Sequence, residues 1–249
     1  MLKTQMPLES LRSATRDELI DAHSRAWEWI ASPGTWMSGR ERIAVAAETR
    51  FARKCRICEV RKNALSPFAL EGEHDHSGEL SGAQIDAVHR LATDPGRLSQ
   101  QWLHGLFEDG LADGVYVESA AIVAMVSCMD TFTFTMGVEP TPLPEPMPGE
   151  PSRYRPPGAK INDTWIATIA PGDQVPDDGP VYGARASGVH RALSLVPAAK
   201  IAVFDLLMAH YIPPELIVDF DQTDISRAIT RPQAEVLASR VSVLNQCLF

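Results

Sequence analysis

The chain is predicted to be all-α. Three observations carry that expectation: apolar residues recur at helical spacing, capping signatures precede the periodic stretches, and no run shows the alternation that a sheet needs. With 249 residues, 45% of them hydrophobic and 22% charged, the chain can build one large core or two small ones.

Taken in order, the first helix is expected from about Arg16 to Ile30, with Ser13 or Thr15 as cap and Leu19, Ala22, Ala26, Trp27 and Ile30 on its inner side. Ser32-Pro33-Gly34 reads as the turn that ends it. Ser38 and Glu41 form a capping box opening a long helix to about Ala64, which Ser66-Pro67 closes. A polar loop over residues 71–79 carries His74 and His76. Ser81 starts a helix to about Ala92 that holds His89, and a further helix runs from Arg97 to Glu108, with Gly110 as its terminating glycine. Asp113 caps a helix from Val115 to about Met136, apolar on most sides and therefore central and buried.

Prolines at 140, 142, 144, 146, 148, 151, 156 and 157 then forbid helix and favour an extended strap. The strap is either a linker or an ordered cover, and Tyr154 between Arg153 and Arg155 points to docking. Residues 161–185 carry one apolar patch, 165–169, and no secure element. Helices are expected again over 187–195, 198–211, 214–220 and from Arg231 to the end. The division that follows is a first helical half over 1–139, the strap over 140–158, and a second half over 159–249.

A formal net charge of −9 argues against general nucleic-acid or anionic-membrane binding. The N-terminal stretch has no apolar signal region, and no stretch approaches ~20 uninterrupted apolar residues, so a cytoplasmic protein is expected. Four cysteines make no disulfide framework, and a close pair in a reducing compartment points to catalysis or metal binding.

That pair is Cys55-Arg56-Ile57-Cys58, inside Arg50–Lys62, where six cations oppose Glu59 alone. On a helix the two cysteines share one face, and neighbouring cations lower a thiol's pKa, so a redox dithiol is one reading. The other is a metal site: Cys55 and Cys58 with His74 and His76 offer the two thiolates and two imidazoles that zinc accepts. Cys128, among Val126, Met129 and Phe132, reads as an inert core thiol.

The dithiol, together with Gly110–Glu118 and the apolar helix after it, resembles the carboxymuconolactone decarboxylase and alkylhydroperoxidase D-like superfamily over roughly residues 36–140. That superfamily's signature is a glutamate, eleven residues, then C-x-x-C-x-x-x-H. Here Ile43 stands at the glutamate and Lys62 at the histidine. A second, divergent copy is visible at the C-terminus, where Glu235 precedes Cys247 by eleven residues. The chain stops one residue before that copy's second cysteine, which raises the expectation of a cysteine or selenocysteine beyond Phe249.

The resemblance implies an alkylhydroperoxidase-like helical fold in tandem and a thiol-dependent hydroperoxide reductase. Cys58 would be the peroxidatic thiolate and Cys55 its resolving partner. Lys62 and the basic run would replace the missing relay, with His89 as a further relay base and Glu235, Glu48 or Glu118 as carboxylates. It implies no bound cofactor, an external dithiol reductant (a protein or a small thiol), and a homo-oligomer. The alternatives are a non-redox decarboxylase-like enzyme and a metal-binding or non-catalytic helical scaffold.

Overall fold

The computed structural model describes residues 7–182, 188–217, 219–245 and 247; Ser187, Leu248 and Phe249, which enter the expectations above, lie outside them. The fold is mostly helical: α1 Asp17–Ala31, α2 Gly39–Ala52, α3 Arg56–Asn63, α4 Gly82–Thr93, α5 Gln100–Glu108, α6 Asp113–Thr135, α7 Gly188–Arg191, α8 Pro197–His210 and α9 Arg231–Leu244.

Helix α1 buries the predicted face, Leu19, Ala22, Ala26, Trp27 and Ile30, together with His23. Its N-cap position is Arg16, without a side-chain cap, so neither Ser13 nor Thr15 serves. Asp17 and Glu18 in the first turn face the positive end of the helix dipole instead. The Ser38–Glu41 box is formed as expected, and so is a second one, Ser81–Gln84, at the start of α4. Asp113 is the first residue of α6 rather than its cap, which is Ala112, and α5 starts at Gln100 after a short 3-10 turn, not at Arg97.

Helix α6 is central. It packs against α2, α4 and α8, while α1 packs against α2 and α8, and one hydrophobic cluster runs through all of them. Leu195, Val196, Ala199, Val203 and Leu206 from the second half belong to that cluster. By length and hydropathy α6 could cross a membrane. Its buried charges say where it lies here: Glu118 meets Arg42 and Asp130 meets Arg50, both from α2.

Two further expectations are corrected. The long helix over 38–64 is two helices, because α2 stops at Ala52 and Cys55 is extended (φ −71°, ψ 125°) at the N-cap of α3. The break is held from elsewhere. Asp75 accepts the backbone N–H of Arg56 at 3.0 Å and binds its guanidinium, while Arg50 and Arg53 are drawn to Asp130. The second correction is a small antiparallel sheet in the unassigned region, pairing β1 Ala159–Lys160 with β2 Thr168–Ile169.

The proline-rich segment is an ordered cover. Met147, Ser152 and Arg153 donate backbone N–H groups to the carbonyls of Ala31, Gly34 and Thr35, so the strap is tied along the α1–α2 connection. Arg155 binds Asp113 at 2.9 Å and the Tyr154 hydroxyl donates to Asp178 at 2.7 Å. By contrast α9 buries little beyond Arg231 and leaves Val236, Leu237, Val241, Val243 and Leu244 exposed.

One acid-sensitive contact joins α1 to α8. His23 of α1 is fully buried, 2.8 Å from His210 of α8 through their Nε2 atoms, and packs edge-on against Phe132. Burial, and then the neighbouring His210, push its pKa down to about 4. Below its ordinary value the unfolded chain takes up a proton that the native state refuses, so stability falls as pH drops from about 6.5 towards 4. The expected loss is up to about 3 kcal/mol. Melting temperatures at pH 7.5 and 5 check this: His23→Gln should flatten the difference, and an equal slope in that variant would refute it.

Candidate functional site

The site forms where α2, α3, the loop over 71–80 and α4 converge. Cys55 and Cys58 occupy the N-cap and third position of α3, each only 2% exposed. Asp75, in capping α3, docks the loop and so brings the preceding residue onto the thiols. His74 Nδ1 lies 3.6 Å from Cys55 Sγ and 3.4 Å from Cys58 Sγ. From α4, His89 Nδ1 lies 3.2 Å from Cys58 Sγ.

Each imidazole is held from behind. His74 Nε2 is 2.8 Å from Asp86 Oδ1, and Asp86 also accepts the Trp102 indole N–H at 2.6 Å. His89 Nε2 is 2.8 Å from Glu48 Oε1, and Glu48 accepts the backbone N–H and hydroxyl of Ser77. Both carboxylates therefore take a ring N–H and leave the opposite nitrogen, Nδ1, facing sulfur. Asp86 and His89 stand three residues apart on α4, so one helix face supplies a carboxylate for one histidine and the other histidine itself.

The electrostatics follow from this layout. Burial raises the Cys55 thiol's pKa, but the Cys58 N–H at the helix N-terminus and the His74 ring outweigh it, and the net shift is downward. For His74, burial opposes the imidazolium, yet hydrogen bonds to Asp86, Cys58 and Cys55 raise its pKa to about 10. His89 moves the other way, because burial outweighs its bond to Glu48. Glu48 and Asp86 both fall below the usual carboxylate range, the cost of burial being exceeded by their hydrogen bonds. Cys128 is a different case: burial pushes its thiol up to about 11.

Of the residues singled out in the sequence, Cys55, Cys58, His74, His89 and Glu48 come together. His76 does not: it is exposed, and the second imidazole of the set is His89. Lys62 is exposed at the far end of α3. The arginines of the basic run face carboxylates rather than sulfur: Arg56 faces Asp75, Arg50 and Arg53 face Asp130, and Arg61 approaches Asp86 at 3.9 Å. Glu118 is fully buried against Arg42. Glu235 accepts the Tyr211 hydroxyl at 2.6 Å, and Cys247 is exposed after α9. Asp86, Ser77, Asp75 and Trp102 were not anticipated. For Asp86 a signal existed in its helical spacing to His89.

No protein-family profile, curated protein or solved structure matches this chain.

Proposed function

We propose that the chain is a thiol-dependent hydroperoxide reductase in which Cys58 attacks and Cys55 resolves. The observation that supports this most directly is the buried row Glu48–His89–Cys58, with spacings of 2.8 and 3.2 Å. The superfamily motif lacks its glutamate and histidine at the linear positions, Ile43 and Lys62. In this reading Glu48 and His89 take over the relay from neighbouring positions in space, and the alkylhydroperoxidase-like tandem fold is part of the same proposal.

The chemistry is a two-step reduction. Held as a donor at Nε2 by Glu48, His89 accepts the Cys58 S–H proton at Nδ1. The Cys58 thiolate attacks the terminal oxygen of the hydroperoxide. The O–O bond breaks and the leaving alkoxide takes a proton, giving an alcohol and a Cys58 sulfenic acid. Cys55, whose thiol is acidified and within reach, displaces hydroxide from that sulfur. Disulfide and water result, and an external dithiol restores the pair. With both sulfurs almost fully buried, a small hydroperoxide fits better than a bulky one.

The test is the intact mass of the reduced, metal-free protein after one equivalent of hydrogen peroxide or tert-butyl hydroperoxide. The expected result is rapid loss of two hydrogens mapped to Cys55 and Cys58, with turnover when dithiothreitol is supplied. Cys58→Ser should abolish turnover, and Cys128→Ser should leave it intact. Thiols that stay reduced in the metal-free wild type would overturn the reading.

A further inference from the structure

We propose that Cys55, Cys58, His74 and His89 form a tetrahedral site for one zinc-class divalent ion. This stands on the donor geometry and does not require the peroxide chemistry above.

The four donor atoms, two Sγ and two Nδ1, all lie within 4.8 Å of one another. A zinc ion bound at ~2.3 Å to sulfur and ~2.05 Å to nitrogen sets a tetrahedral S···N edge of roughly 3.5 Å. Three of the four S···N edges, Cys55–His74, Cys58–His74 and Cys58–His89, measure 3.6, 3.4 and 3.2 Å. These three edges match the tetrahedral length to within about 0.3 Å, with the donors delivered by three separate parts of the chain: the start of α3, the loop over 71–80, and α4.

The outer layer has the character of a metal centre too. A histidine that ligates through one nitrogen typically donates its other N–H to a carboxylate, which fixes the tautomer and strengthens the donor. His74 with Asp86 and His89 with Glu48 both do so, each at 2.8 Å, and each carboxylate has a further partner in Trp102 or Ser77. Two carboxylates, Glu48 buried and Asp86 half-buried, aimed at two imidazoles exceed what one proton relay needs.

Charge and softness select the ion. Two thiolates balance a dication, and two imidazoles complete a borderline-soft set that suits zinc and disfavours magnesium, calcium or manganese. Of the basic run, Arg50, Arg53 and Arg56 are neutralised by Asp130 and Asp75, while Arg61 stands behind His74, 3.3 Å from its Nε2 and 3.9 Å from Asp86, on the side away from the sulfur-facing Nδ1. With four protein ligands, nearly all of them inaccessible, the centre is closed in the manner of structural zinc. It would pin α3 and the 71–80 loop to α4, where otherwise little apolar surface holds them. Two-electron oxidation of the pair by a hydroperoxide, with uptake of two protons, yields disulfide, alcohol and water. That removes two of the four ligands and releases the ion.

The experiment uses the full chain, reduced and stripped, titrated with cobalt(II) and then zinc(II), with metal content measured after gel filtration. One equivalent of cobalt is expected, with the intense visible bands of tetrahedral coordination and sulfur-to-metal charge transfer, all displaced by zinc. His76→Ala should bind as the wild type does. Cys55→Ser should remove one sulfur's share of the charge-transfer band. Asp86→Asn should weaken affinity about 10–100-fold while keeping the tetrahedral spectrum. Weak pink octahedral cobalt, no retained metal, or wild-type binding in folded Cys55→Ser would overturn the site. Peroxide-driven disulfide formation without metal binding defeats this inference alone. Tight metal binding with inert thiols in the stripped protein defeats the hydroperoxide reading and leaves the metal site standing.

Discussion

Replacing Glu118 by alanine is expected to destabilise the fold by about 3–5 kcal/mol, the range for leaving one member of a buried ion pair uncompensated. Arg42 and Glu118 are 1% and 0% exposed, with Nε and Oε1 3.2 Å apart. Arg42 also donates to the Ser32 carbonyl at 2.6 Å and lies 3.5 Å from the centre of the Trp29 ring. Glu118 accepts the Trp36 backbone N–H at 2.6 Å. The pair thus joins α2, α6 and the turn between α1 and α2, and removing the carboxylate strands both a guanidinium and a loop amide. Burial already lowers the Arg42 pKa to about 10 and raises that of Glu118, so each charge is tolerated through the other. For a chain of this length the melting temperature should fall by roughly 8–15 °C. Glu118→Ala with Arg42→Met should recover part of the loss, since an apolar isostere strands no charge.

Gly34 reports on the same place. A Cβ there would stand 1.6 Å from Glu118 Oε1, which no rotation of alanine avoids. Gly34→Ala should therefore approach the Glu118 variant in its loss of melting temperature, although the substitution adds a single methyl group. A loss within 2 °C of wild type in both variants, measured by thermal unfolding, would show that the pair does not lock this corner.

Helical periodicity made most of the buried face of α1 legible, missing Ile20, His23 and Ala31, and the Ser38 capping box fixed the start of α2, because both signals are local. The α2–α3 break was not legible. Its cause is Asp75, about twenty residues away, whose carboxylate caps the new helix; no Gly or Pro marks the position. That one error carried others with it. A cysteine placed mid-helix sees its neighbours in sequence, which makes Lys62 and the arginines its expected electrostatic partners. A cysteine at a helix N-terminus sees what the fold brings there: two histidines and the carboxylates behind them. His74, His89 and Glu48 were nonetheless visible as residue types worth weighing. What the sequence lacked was the loop's path, which decides between His76 and His89. The two-residue strands were illegible because so short a ladder has no periodicity to detect.

The largest effect on rate is expected from His89→Gln in the metal-free protein. Loss of a general base in line with the nucleophile should slow oxidation of Cys58 by about 100-fold or more at neutral pH. The pH profile separates this from a packing defect. Burial holds the His89 pKa below its ordinary value, so the ring remains able to accept a proton at lower pH than a surface histidine does. The wild-type rate should therefore persist into mildly acid solution and fall only as His89 protonates. In His89→Gln, where no base stands in line with the sulfur, the rate should instead depend more steeply on pH than in the wild type. Glu48→Gln keeps an acceptor for the ring N–H but removes the charge that stabilises the imidazolium, so its rate should lie between the other two. Stopped-flow oxidation followed between pH 5.5 and 9 gives all three curves. If His89→Gln merely scales the wild-type curve without changing its shape, His89 positions the thiol and moves no proton.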